Sequence, residues 1–95
     1  MLTWSRFSAL LDGILDNILS SIPKRFSSAQ FISAVKSACP TECGELISHS
    51  NIRTLHVWLS RWYLSRVNGI ERLGETQVVS VNGNKSSNAL WENNR

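Results

Sequence analysis

Residues 51–67, "NIRTLHVWLSRWYLSRV", contain neither glycine nor proline and run straight into Asn68-Gly69. A breaker-free stretch of that length favours a helix, and Asn-Gly, which tolerates left-handed backbone, ends it. Ser50 or Asn51 supplies the N-cap. At about 100° per residue, Ile52, Leu55, Leu59, Trp62 and Tyr63 cluster on one side and are expected to face a core. Arg53, Thr54, Val57, Ser60 and Arg61 point away from it. The chain must therefore bury one stripe of a long rod and leave a face with two arginines outside. Val57 is tolerable on such a face, and it is also what a surface touching thymine methyls carries.

Two helices are expected ahead of this rod. In "MLTWSRFSALLDGILDNILSSI", Trp4, Phe7, Leu10, Leu11, Ile14, Leu15, Ile18, Leu19 and Ile22 recur at spacings of three and four, with Arg6, Asp12, Asp16 and Asn17 opposite. Thr3 is the expected cap and Pro23 the stop, since a residue before proline leaves helical geometry. Gly13 inside it marks an expected close approach by a neighbour. Ser27 or Ser28 caps a second helix through Ala38, with Phe31, Ile32, Val35 and Ala38 as its buried face. Phe26 is placed to staple that helix from just outside it, and Pro40 ends it. "TECGELIS" adds one or two turns capped by Thr41, and "HSN" reads as a turn.

Beyond the rod, "IERLGE" and "TQVVSV" read as two strands, the second dominated by β-branched residues. "NGNKSS" is a hairpin turn around Asn82-Gly83, and "NALWEN" is the returning strand, with Ala89 and Trp91 on one face. The expected fold is α+β and mainly helical. It forms one domain over 1–95: an N-terminal helix in 1–23, two helices with an extended turn in 24–67, and strand plus hairpin in 68–95.

This order, with "RFSSAQFISAV" at 25–35, the rod at 51–67, "NGIERLG" at 68–74 and "NGNKSSNALWEN" at 82–93, resembles the winged helix-turn-helix family of DNA-binding domains. "KSACPTECGELISHS" makes the turn between the second and long helices longer than in the simplest members. The resemblance implies a small regulator of transcription that binds double-stranded DNA, with helix 51–67 in the major groove and a wing at 82–88 on the backbone. Its expected contacts are Asn51, Arg53, Thr54, Val57, Ser60 and Arg61 on the helix, Lys24 and Arg25 ahead of the second helix, and Asn84, Lys85, Ser86 and Ser87 on the wing. His56, bordering the presented face, is a further phosphate candidate. The alternative is the same fold used as a protein–protein interaction module or adaptor, through a patch of exposed Val57, Trp58 and Leu64. Trp58 separates the two: exposed beside Val57 and Leu64, it points to a protein partner, and packed against the extended turn or the first helix, it leaves the polar face to DNA.

Ten Lys and Arg against seven Asp and Glu give a net charge of +3, compatible with an anionic partner at modest affinity per copy. A homodimer through the apolar first helix would add binding energy across two half-sites. No apolar run approaches the roughly 20 residues that span a bilayer, so no membrane association and a cytoplasmic location are expected. Cys39, Cys43, His49 and His56 lack the tight paired spacing of structural zinc modules, and the two cysteines are expected to be reduced and partly buried. No nucleophile motif, phosphate-cradling glycine loop or positioned carboxylate pair is present, which leaves no cofactor or metal implied and argues against an enzyme.

Overall fold

The computed structural model describes residues 2–79 and 85–95, with the side chains of 76–87 outside that description. The architecture is α+β and mainly helical, with a small antiparallel sheet. Helix α1 spans Trp4–Ser20 and is capped by Thr3, whose Oγ1 accepts from the Arg6 amide at 3.2 Å. It buries Phe7, Leu11, Leu15, Ile18 and Leu19. Its apolar surplus is largely absorbed within the chain, leaving Leu10 as the exposed large hydrophobic side chain of this helix. Gly13 marks no close approach, because a Cβ built there would meet nothing within 4 Å.

Strand β1, Arg25–Ser27, was not expected; three residues are too few to display an alternation. Ser27 ends it and caps helix α2, Ser28–Ala38. The cap is reciprocal: the Gln30 amide donates to Ser27 Oγ at 3.2 Å, and the Ser27 amide donates to Gln30 Oε1 at 2.9 Å. Phe26 and Phe31 close the staple, their ring centroids 6.0 Å apart. Within α2, Phe31 and Val35 are buried and Ile32 is half-buried. Ala38, expected inside, is exposed because it lines an open groove between α1 and α2. Helix α3, Pro40–His49, is longer than the expected turn or two. Pro40 stops α2 but also opens α3, where its fixed φ suits the first helical position and its missing N–H has no partner to lose.

The long rod, α4, is capped by Asn51 and consists of an α-helical stretch Ile52–Val57, a π-helical turn Trp58–Tyr63 and a closing turn Leu64–Arg66. The π turn corrects the expected seam. An i→i+5 ladder winds fewer degrees per residue than the α-helix, so phase slips between Leu59 and Tyr63. Leu55, Leu59, Tyr63 and Leu64 are buried, whereas Trp62 is 40% exposed. Leu64, which a uniform helix would place outside, is fully buried for the same reason. Ile52 is half exposed on the first turn, which packs against α3, short of the core that α2 forms with the π turn.

Gly69, at φ +87°, turns the chain into the sheet, and its carbonyl accepts from the Asn94 amide at 2.7 Å. Strand β2 runs unbroken over Ile70–Val79 rather than as two strands. Pairing continues across the expected boundary after Glu75, and the irregularity lies earlier, in a bulge: Arg72 pairs with Trp91 and Gly74 with Leu90, leaving Leu73 unopposed. Strand β3 is Lys85–Asn93, so pairing reaches Val79 opposite Lys85, and Lys85–Ser87 belong to the strand rather than the turn. Asn82-Gly83 lies outside the described residues. The sheet order is β1-β3-β2. Trp91 sits on the central strand between Phe26 and Arg72, and its indole N–H donates to Ser28 Oγ at 3.0 Å in the buried interior.

Phe31 belongs both to the staple and to a stacked pair with Tyr63, centroids 6.2 Å apart. Phe31→Ala is expected to cost about 3–5 kcal/mol, and Ser27→Ala about 1 kcal/mol through loss of the cap. Urea unfolding followed by tryptophan fluorescence checks both, and equal costs would contradict the packing described.

Candidate nucleic-acid interface

The outward side of α4 carries the residues that the sequence places there. Arg53, Thr54, Val57 and Arg61 are exposed, and with Trp58 and Trp62 they line one shallow depression of about 410 Å³. Among the described residues, no acidic side chain lines it. Asn51 is committed to capping: its Oδ1 accepts from the Thr54 amide at 2.8 Å and from the Thr54 hydroxyl at 3.1 Å. Thr54 therefore brings chiefly its methyl group to outward contacts. Ser60 donates its hydroxyl to the His56 carbonyl at 2.8 Å, a common back-bond within helices.

A second groove of about 660 Å³ lies between α4 and the β2–β3 hairpin. Ser60, Arg61 and Ser65 line it from the rod, Arg72 and Glu75 from β2, and Asn88 and Ala89 from β3. Arg72 and Glu75 form an exposed ion pair at 3.4 Å, of the kind that contributes little to stability. Arg61 faces both depressions and connects them.

One flank of the rod is aromatic. Trp58 is half-buried and packs on α1, with ring centroids 5.1 Å from Trp4 and 5.5 Å from Phe7. It does not stand exposed beside Leu64. Trp62 stacks on Trp58 at 5.0 Å and carries the Arg66 guanidinium over its ring, 4.2 Å from the centroid. Cation–π contacts at exposed sites contribute about 0.5–1 kcal/mol, enough to bias the orientation of both groups. Trp62 and Arg66 were not expected at this surface, because periodicity at 3.6 cannot register a π turn.

The remaining candidates lie elsewhere. Lys24 and Arg25 belong to the β1 edge, which the order β1-β3-β2 sets across β3 from the strand bordering the groove. Arg25 is held by Glu92 through a 2.8 Å ion pair, and that hydrogen bond is the main reason the Glu92 carboxyl is shifted below its ordinary range. Asn84 lies outside the described residues, and so do the side chains of Lys85, Ser86 and Ser87.

His56 does not turn outward to meet a phosphate: its Nε2 is buried without a hydrogen-bond partner among the described residues. Burial, with Lys36 adding to it, lowers the imidazole pKa from 6.5. Cys39 and Cys43 are free and buried. Burial is the main cause of the shift of the Cys39 thiol up to about 12 and raises Cys43 as well. Both are thus held as thiols, far from the low-pKa thiolate that makes a cysteine reactive.

Because the folded chain disfavours His56 protonation, the unfolded chain binds more protons below pH 6.5. Stability is then expected to fall as pH drops from 6.5 toward the lowered folded value. His56→Gln should flatten this part of the profile, measured as the urea midpoint between pH 6.5 and about 5. An unchanged slope in the variant would show that other groups carry it.

Comparison with protein-family models, curated proteins and solved structures gives no match to this chain.

Proposed function

We propose that this chain is a small DNA-binding protein of winged helix-turn-helix type, acting in transcriptional regulation. The carrying observation is the outward side of α4, where Arg53 and Arg61 flank a depression lined by no acidic side chain among the described residues, next to a long β-hairpin. A helix is the element that a major groove about 12 Å wide admits. Arg53 and Arg61 are eight residues apart, or about 12 Å along the axis, so each contacts a different base step or phosphate. The short β1 between α1 and α2, paired with β3 at the base of the hairpin, supports the winged arrangement. The packing of Trp58 on α1 supports it too, since it keeps that indole from dominating the outward face. On this reading, residues 82–88 contact the DNA backbone.

A second reading, a protein-interaction module, draws on a different observation: Val57 and Trp62 are 43% and 40% exposed on the same side. Charge separates the readings. A polyanion partner is released by salt, whereas an apolar protein contact is not.

Titration of duplex DNA against the wild type, Arg53→Ala and Arg61→Ala at several salt concentrations tests the proposal. A base-reading arginine is expected to lose about 1–3 kcal/mol and relax sequence preference at one position. A phosphate-contacting arginine weakens all duplexes alike and reduces the salt slope by about 0.9. No binding of the wild type to any duplex at low salt would leave the protein-interaction reading in its place.

A further inference from the structure

The α4 depression is lined by apolar groups together with two arginines. Val57 is 43% exposed, Trp62 is 40% exposed, and Trp58 is half-buried beneath it. Thr54 has its hydroxyl turned to Asn51 Oδ1 at 3.1 Å, which leaves its methyl group for the depression. Arg53 and Arg61 bracket these groups. A surface built only to hold phosphates has no use for such a floor, because phosphate and most base edges offer it polar atoms. The major groove presents one apolar feature, the C5-methyl group of thymine.

Resting on the DNA-binding reading above, we infer that α4 reads thymine methyl groups, seating them against Val57, the Thr54 methyl and the Trp62 edge between two arginine contacts. The floor lies within the roughly 12 Å that separates Arg53 from Arg61 along the rod. That span matches about three to four base pairs at 3.4 Å each, so the recognised segment is a short thymine-containing step with a guanine edge or a phosphate at either side. Arg66 is held over Trp62 by the cation–π contact and keeps the indole edge in place. The partner is duplex DNA with its methyl groups, not duplexes of the same base sequence that lack them.

Full-length protein is used to select duplexes from a random-core DNA pool at low salt. The selected duplexes are then synthesised with thymine and with deoxyuridine, which removes the methyl group and leaves pairing and phosphates unchanged. The wild type is expected to bind the uracil duplex about fourfold more weakly for each methyl it seats. Val57→Ala, at an exposed position that should leave folding intact, is expected to bind the thymine duplex more weakly and to lose most of the difference between the two. Equal affinity of the wild type for both duplexes, with selection otherwise successful, overturns the methyl reading and leaves DNA binding standing. A thymine preference that Val57→Ala retains in full overturns the placement of the methyl group on this floor. Selection of duplexes without thymine at the contacted step overturns the methyl reading alone, and failure to select or bind any duplex overturns DNA binding and this inference with it.

Discussion

Tyr63 fixes the direction in which the long rod faces. Its ring is buried between Phe31 of α2 and Trp58 on its own helix, and its hydroxyl donates to Asp12 Oδ1 of α1 at 2.8 Å. Burial first, and then the Asp12 hydrogen bond, raise the phenol pKa further above its ordinary value, so the group remains a donor at any physiological pH. One side chain therefore ties three helices together by stacking and by a directed polar bond. Rotation of α4 about its axis would have to break that bond and expose the ring. The orientation of Arg53, Arg61 and Val57 is a consequence of that anchor more than of any local preference of the outward residues.

Much of the helical frame could be read from the residues, because it follows from short-range chemistry. The Ser27–Gln30 cap, the Phe26–Phe31 staple, the Asn51 cap and the Asn68-Gly69 stop all depend on contacts within a few positions. What the sequence did not disclose depends on distant partners. β1 exists because Arg25–Ser27 pairs with residues 90–92 of β3, far along the chain. The bulge at Leu73 is defined only by what lies opposite it. Pro40 could be read as a stop but not as the start of α3, since both roles use the same fixed φ. Trp62 falls inside by an ideal periodicity that the rod does not keep, and Ile52 falls inside only if the core reaches the rod's first turn, which it does not. The outward Arg53, Thr54, Val57 and Arg61 were placed correctly because they sit largely on the regular part of the helix or opposite the buried stripe. Trp62 and Arg66, beyond the slip, were missed.

Charge is distributed unevenly relative to the modest total of +3. Arg25, Arg72 and Arg95 are each matched by a carboxylate, on Glu92, Glu75 and Asp16. Arg53 and Arg61 line a depression that has no carboxylate among the described residues. Such a local field acts within about a Debye length, near 10 Å at 0.1 M salt, and so is set by these neighbours more than by the whole-chain balance. The aromatic flank adds stiffness there: Trp4, Trp58, Trp62 and Arg66 lie in sequence from α1 outward, each in contact with the next.

The slip inside α4 amounts to one surplus residue in an otherwise ordinary rod. Excise a single position between Leu59 and Tyr63, and Leu55, Leu59, Tyr63 and Leu64 would fall at the three- and four-residue intervals of a uniform helix, with the same interior composition. The interior thus does not demand the extra residue; the exterior uses it. Trp62 owes its outward bearing to that offset, whereas Arg61 points outward at either winding. Loss of one residue at the joint would return the rod to uniform winding with its buried side chains in place, whereas a further added residue would swing the downstream half, Tyr63 and Leu64 included, by about 100°.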